Sequence, residues 1–359
     1  MNIYDISQKA GVSTATVSRV LNHSPRVSEA TRARVLAVME ESGYVPNAFA
    51  RSLGLNSMKT IGLLCPNAAD PYLSHALSYL ERELRRRQYS CLLSCCERDL
   101  ASRKQGIELL TAQHVDGVIL MGSTFVDEKA KDNESIRKAA LQTPVVILNA
   151  SLKAPNVYSV LCDEQQATRD AARFLLESGR RRILYLYHSR NHNGRKKLNG
   201  YRAAHEALAV PVDEALLRYF PEDEMNVSHV RDELVRLDEA GLRFDAVLAS
   251  EDLLAVGALK YAGVRGRNVP KDLSVIGYNN SDACLCCDPE LTSVDNRLKA
   301  VCEHCVSVLL DVLEGREAPQ ETVFSGELVF RQSTVSPSST IDGSTVSSAA
   351  PSQKKEVTP

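Results

Sequence analysis

Nowhere in its 359 residues does the chain stay apolar for the ~18–20 positions that a helix needs to span a bilayer. The N-terminus, MNIYDISQKAG, has no basic segment ahead of an apolar stretch, so no secretory signal is expected there and the protein is expected in the cytoplasm. There is no Gly-rich phosphate loop of either standard kind, and no Ser or Cys sits in a nucleophile-elbow pattern. Histidines such as His188, His192 and His229 are scattered over polar segments. A membrane protein and an enzyme are therefore not expected, nor is a cofactor. The C-terminal SSTIDGSTVSSAAPSQKKEVTP lacks heptad leucines, which argues against a tetramerising coiled coil. Its Ser, Thr, Pro and Ala content without an apolar period predicts a disordered tail over 336–359.

Charge of a single sign is also missing, since the formal net charge is −2. The balance is uneven along the chain, however. Residues 1–59 hold seven Lys and Arg against four Asp and Glu, a net +3. A basic head on a slightly acidic body suggests that only the head meets phosphate. At 44% hydrophobic and 25% charged residues the composition is that of a water-soluble globular chain, and the length suits two or three domains.

The head reads as three helices. Asn2 can cap the first, with Asp5 three residues on and Gly11 placed to end it. Ser13 starts a second helix over TATVSRVLN, and Ser28 caps a third, EATRARVLAVMEES, that stops at Gly43. Ile6 and Ala10 are expected to face Val17 and Val20, with Leu36 of the third helix behind them. That is a helix-turn-helix, in which the second helix lies in the major groove. Thr14, Ala15, Ser18, Arg19 and Asn22 are then left on its outer face. A small residue or a Thr methyl there can meet a thymine methyl, and Arg19 can reach guanine O6 and N7 as a bidentate pair. Ser13, Thr16, Ser28 and Arg32 suit phosphate contacts, which fix register. Beyond Pro46, the segment AFARSL can form a helix of barely two turns, too short to hold in water alone.

From Lys59 short apolar strands (TIGLLCP, YSCLLSC, DGVILMG, PVVILNA, VYSVLCD, RRILYLY, FDAVLAS, LSVIGYN) alternate with amphipathic helices, and the rhythm restarts after Asp163. This predicts an α/β body with parallel sheets in two similar lobes.

YDISQKAGVSTATVSRVLN, the V-S-x-x-T-R pattern from Val27 to Arg32, and YVPNAFARSL resemble the LacI/GalR family of bacterial transcription regulators. The resemblance runs in order from residue 2 to about 333. It implies an all-α helix-turn-helix head on a doubly wound, periplasmic-binding-protein-like body of two lobes. The corresponding ranges are 1–45 for the head, 46–58 for a hinge helix and linker, and 59–335 for the effector-binding and dimerisation body. Within the body, the N-lobe takes 59–160 plus 291–318 and the C-lobe 161–290 plus 319–335. It further implies a homodimer, a repressor on a pseudo-palindromic double-stranded operator, with paired hinge helices in the minor groove. Leu53 matches the family's leucine wedge, with Asn47, Ala50 and Arg51 on the same segment. Such a wedge unstacks a base step in return for a larger wrapped surface.

The resemblance also implies a small-molecule effector, carbohydrate-like, beyond the C-terminal strand ends where ligands of such sheets bind. The matching positions are Tyr72, Leu73, Ser123 and Asn149 in the first lobe. In the second they are Asn193, Lys197, Phe220, Glu251, Asp252 and Asn279. Sugar-binding relatives usually carry Arg where Lys197 stands and Asp where Asn279 stands. A point charge replaces a planar fork, and an amide replaces a carboxylate. These departures suggest a modified or acidic sugar, or another small polar metabolite.

The ten cysteines offer an alternative. Cys95-Cys96, Cys284-x-Cys286-Cys287, and Cys302-x-x-Cys305 with His304 resemble metal-ligand spacings. The same DNA-binding scaffold could in that reading sense metal or thiol redox state. Against it stands the frequent use of free Cys as a small core residue, and no metal site is expected.

Overall fold

The computed structural model describes residues 2–21, 24–43, 57–221 and 226–335. Asn22, Asn47, Ala50, Arg51 and Leu53, and with them the expected hinge helix and the tail, lie outside the described residues.

The head consists of α1 (Ile3–Ala10), α2 (Thr14–Leu21) and α3 (Glu29–Glu41). Its boundaries follow from local chemistry. Asn2 accepts from the backbone of Tyr4 and Asp5 while Asp5 reaches back to the Asn2 N–H, a complete capping box. Gly11 ends α1 at φ +64°, a left-handed conformation that a Cβ would penalise. Ser28 caps α3 by accepting from Thr31 N. The core is Ile6, Ala10, Val17, Val20, Val35 and Met39. Leu36, expected in this core, is 48% exposed. Val35 takes the inward position, and Met39 one turn later continues its face.

The body holds two six-stranded sheets. The first contains β1 (Thr60–Cys65), β2 (Ser90–Cys95), β3 (Gly117–Met121), β4 (Val145–Leu148), β5 (Val157–Cys162) and a late strand, Glu321–Phe324. Their order is late strand, β5, β4, β3, β1, β2, with parallel pairing throughout. Between them run α4 (Pro71–Arg86), α5 (Leu100–Ala112) and α6 (Glu134–Ala140). Side chains alternate across a strand, so every strand of a sheet covered on both faces must be apolar throughout. Ile61, Leu63, Ile119, Val146 and Leu148 accordingly face α4 and the late helix Leu298–Leu313. Leu64, Val118, Leu120, Val145 and Ile147 face α5 and α6.

The chain continues through α7 (Glu164–Glu177), β6 (Ile183–Tyr187), α8 (His192–Ala207), β7 (Leu217–Tyr219), α9 (Val227–Glu239), β8 (Ala246–Ala249), α10 (Asp252–Val264), β9 (Ser274–Tyr278) and β10 (Thr292–Asp295). Then come α11 (Leu298–Leu313), β11 (Glu321–Phe324) and β12 (Glu327–Val329). The second sheet is ordered β12-β10-β9-β8-β6-β7. Leu184, Leu186, Val247, Ala249 and Val275 meet α9 and α10 in its core.

The sheets and units divide the chain differently from the expected lobes, and the first unit runs on to Ala167, past the expected boundary at 160. β10 belongs to the second sheet, although 291–318 is expected wholly in the first lobe, and β11 belongs to the first, although 319–335 is expected in the second. Residues 189–199, which end the loop after β6 and make the first turns of α8, fall with the first unit. In each case the partner of a short segment is decided by long-range pairing that local pattern does not carry. Among the described residues no helix is long and apolar enough to cross a membrane.

Candidate functional site

Two groups of residues are candidates for function. On the head, α2 keeps Val17 and Val20 inward and turns Ala15 and Arg19 outward, both away from the core, with Thr14 and Ser18 beside them. Ser13 and Thr16 share a hydroxyl hydrogen bond at 2.9 Å, and Thr16 N donates to Ser13 Oγ, so Ser13 is the α2 cap. Ser28 plays that part for α3. Arg32 donates from Nη2 to the Ser24 carbonyl at 2.8 Å and braces the turn ahead of α3. Thr14, Ala15, Ser18 and Arg19 therefore share the outer side of α2, and Ser13, Ser28 and Arg32, expected on phosphate, also build the turns.

In the first unit a polar network forms at the C-terminal end of β4. Asn149 adopts φ +63°, which an Asn tolerates, and this turns the chain just beyond the strand. Its Nδ2 donates to Glu164 Oε1 at 3.0 Å. Glu164, at the start of α7, is 1% exposed, and Lys197 Nζ stands 3.3 Å from its Oε2. The Asn149 carbonyl accepts from Asn193 Nδ2 at 2.7 Å. That bond fixes the orientation of the Asn193 amide. Its Oδ1 is then buried with no hydrogen-bond partner, in a residue 6% exposed. Asn191 Nδ2 donates to Ser123 Oγ at 3.0 Å. Gly194 makes the approach of α8 possible: a Cβ there would lie 2.0 Å from the Ser189 carbonyl oxygen. Burial, and then the nearby Glu164 carboxylate, push the Tyr72 phenol well above its ordinary range, so it stays a neutral donor.

Of the expected effector residues the structure thus brings together Tyr72, Ser123, Asn149, Asn193 and Lys197, and adds Glu164 and Asn191. Asn193 and Lys197, expected in the second lobe, make their contacts in the first unit. Leu73 is not a surface residue; it is buried in the first core.

In the second unit, Glu251 pairs with His188 Nε2 at 3.2 Å. Asn279 stands at φ +100° directly after β9. Asp252 is buried, and its carboxylate accepts from Ser281 N and Oγ, both at 2.7 Å, and from Ser293 Oγ at 2.6 Å. It ties the loop after β9 to α10, so its expected place among the effector contacts is corrected to a structural one. Phe220 is corrected likewise: it is 2% exposed and sits in the second core, edge-on to His229.

The cysteine spacings do not close into a site. Cys302 and Cys305 point into the first core, whereas His304 faces Thr322 and Phe324. Burial pushes the Cys96 thiol up to about 11 and the Cys162 and Cys284 thiols up to about 12. Reactive cysteines have depressed values. Among the described residues no group of three or more His, Cys, Asp or Glu could hold a metal ion.

Comparison with known proteins converges on one family. The bacterial regulatory proteins of the lacI family match residues 2–47, and a periplasmic binding protein-like domain matches residues 172–334. Over 334 residues the chain is 45% identical to an HTH-type transcriptional regulator of Lachnoclostridium phytofermentans, covering 93% of this chain and 99% of that one. It is 30% identical to the HTH-type transcriptional repressor CytR of Escherichia coli K12, over 92% of this chain and 95% of that relative. Among solved structures, a Lac repressor dimer bound to operator and the anti-inducer ONPF superposes with TM-score 0.83 at 25% identity, over 94% of this chain and 99% of that one. A complex of the transcriptional regulator CelR with cellobiose gives TM-score 0.66 at 28% identity, over 93% and 99%.

Proposed function

Because the chain belongs to the LacI family of bacterial regulatory proteins and is a DNA-binding transcription regulator rather than an enzyme, we propose that it is a cytoplasmic repressor, acting as a homodimer whose operator affinity is set by a neutral, hydroxyl-rich metabolite. Operator binding falls to the outer face of α2, with Thr14, Ala15 and Arg19 at the bases, and to the hinge segment with Leu53 as its wedge. The observation that carries the effector reading is the network around Asn149. A buried acceptor without a partner, Asn193 Oδ1, calls for a ligand hydroxyl, because a buried polar group left unpaired costs ~1–3 kcal/mol.

Lys197 by itself would favour an acidic ligand. Glu164 beside it removes that preference, since the pair is neutral as a unit. The CelR relative is a complex with cellobiose, which agrees with a neutral polyol in this chain as well. Effector and operator binding are then linked, and reciprocity requires each to change the other's affinity equally, typically by ~1–3 kcal/mol. Calorimetric titration with neutral sugars and their phosphate esters, with operator binding measured in parallel, tests this. A neutral sugar is expected to bind at least tenfold more tightly than its phosphate ester and to shift operator affinity. Tighter binding of the ester would overturn the neutral assignment, and a bound sugar without effect on the operator would overturn the linkage.

The edge strand of the first sheet supports the dimer. β2 ends the sheet order and presents Leu92 and Leu93, each more than a third exposed. An open edge with apolar side chains is a natural pairing surface for a second copy. Leu92→Asp with Leu93→Asp is expected to convert a dimer to a monomer in sedimentation velocity. Operator affinity should fall with it by about 100-fold or more, as two heads no longer bind together. A variant that stays dimeric would place the interface elsewhere.

A further inference from the structure

The N-terminal end of the second sheet carries a cavity that none of the residues above uses. It encloses about 350 Å³, lined by Arg181 and Arg182 just ahead of β6, by His205 on the last turn of α8, and by the segment from Val210 to Leu216. That volume is at the small end of ligand pockets, which run ~300–1,000 Å³. The floor formed by Val210, Pro211, Val212 and Leu216 is mainly apolar.

His205 is the informative group. It is 2% exposed, and its Nδ1 lies 3.2 Å from the Val210 carbonyl oxygen. A carbonyl only accepts, so Nδ1 carries the proton and Nε2 presents a lone pair. Nε2 is buried and has no hydrogen-bond partner. Burial lowers the imidazole's proton affinity, so the ring is neutral and Nε2 remains an acceptor. One of the lining residues thus carries an acceptor without a donor, and a buried acceptor in that state is costly.

Two further features say what would supply the donor. His205 ends an aromatic column: Tyr219 lies 5.4 Å from Tyr187, Tyr187 5.7 Å from Tyr185, Tyr185 5.0 Å from Tyr201, and Tyr201 4.5 Å from His205. An aromatic ring in the cavity would be the next member of that series, held by the same offset and edge contacts. At the rim stand two guanidinium groups against one carboxylate. Arg182 pairs with Asp213 at 3.1 Å, while Arg181 uses Nη1 on the carbonyls of Leu176 and Arg180. A guanidinium has five N–H donors, so both arginines can turn others toward an anion.

We propose that this cavity is a second ligand site, distinct from the effector residues at the C-terminal strand ends, and that it takes a small hydroxyaryl acid. The ring lies on the apolar floor, the hydroxyl donates to His205 Nε2, and the carboxylate meets Arg181 and Arg182. The test is calorimetry on the full chain with 4-hydroxybenzoate and with benzoate, which lacks the donor. One saturable site per chain is expected for 4-hydroxybenzoate, with benzoate at least tenfold weaker, because a site built around a hydroxyl rejects the analogue that leaves its partner unpaired. His205→Leu should lose at least tenfold in affinity. Val212→Trp, which fills the cavity while leaving His205 in the chain, should abolish binding and covers the case in which His205→Leu fails to fold. Absence of saturable binding, equal affinity for benzoate, or unchanged affinity in Val212→Trp would each overturn the proposal.

Discussion

Ile6→Ala is expected to weaken specific operator binding by about 30-fold or more, while Leu36→Ala leaves it within about twofold. Both substitutions remove a branched aliphatic side chain from the same three-helix head. Ile6 is fully buried at the centre of a core of six residues, and Leu36 is largely in water. Truncating a buried Ile costs ~2–5 kcal/mol, from lost transfer energy and the cavity left behind. A unit of roughly 40 residues has little in reserve: at ~0.05–0.15 kcal/mol per residue its whole stability is about 2–6 kcal/mol. The substitution therefore consumes most or all of it. An unfolded head cannot present Ala15 and Arg19 on one surface, so operator affinity should drop by about 30-fold or more, the equivalent of ~2 kcal/mol. A surface truncation away from caps and ion pairs stays within ~0.5 kcal/mol. Fluorescence anisotropy with labelled operator measures the affinities, and amide exchange in α1 to α3 reports whether the head is folded. Effector binding should persist in both variants, since the body has its own cores. Equal losses in the two variants would mean that Leu36 has a contact the head alone does not explain.

The contrast also marks where sequence reading stops. The helix ends are legible because caps are local: Asn2 with Asp5, Ser28 with Thr31, and Gly11 in its left-handed turn need only neighbouring residues. The strands are legible because a short, continuous apolar run such as VVIL or SVIGY must be covered on both faces, which a central strand of a parallel sheet provides. The choice between Val35 and Leu36 is not, because α3 carries apolar residues at 30, 33 and 35–39, spread around the helix. Packing into the head's core, which Val35 joins and Leu36 does not, decides. Leu73 and Phe220 are misplaced for a related reason: strand-end positions mix core and surface side chains, and spacing alone does not separate them. Asp252 looks like a ligand contact because a carboxylate after a strand often is one, yet three donors from Ser281 and Ser293 already occupy it. Glu164 escapes sequence reading altogether. An acidic residue in the first turn of a helix reads as a favourable dipole partner. Only the position of Glu164 two residues after the run VYSVLC hints at more, and its partner Lys197 is far along the chain.

That pair supports the second large effect. Removing either partner alone should destabilise the body by ~3–5 kcal/mol, because the remaining charge is left buried and unpaired. Glu164 is 1% exposed and the Lys197 side chain only 12%, so neither can turn to water without moving the strand ends. Lys197→Met should be the more damaging, since it strands a carboxylate whose other oxygen is held by Asn149. The double variant Glu164→Leu with Lys197→Met should be close to the wild type in stability, because an apolar pair of similar volume replaces the ion pair at little cost. Urea unfolding of the four proteins closes the cycle, and the coupling between the two sites should be at least ~2 kcal/mol. Effector binding then separates structure from function. If the pair only holds the fold, the stable double variant binds effector as the wild type does. If Glu164 and Lys197 also present hydrogen bonds to a polyol, the double variant keeps its stability and its operator affinity but no longer responds to the sugar, and this is the result we expect.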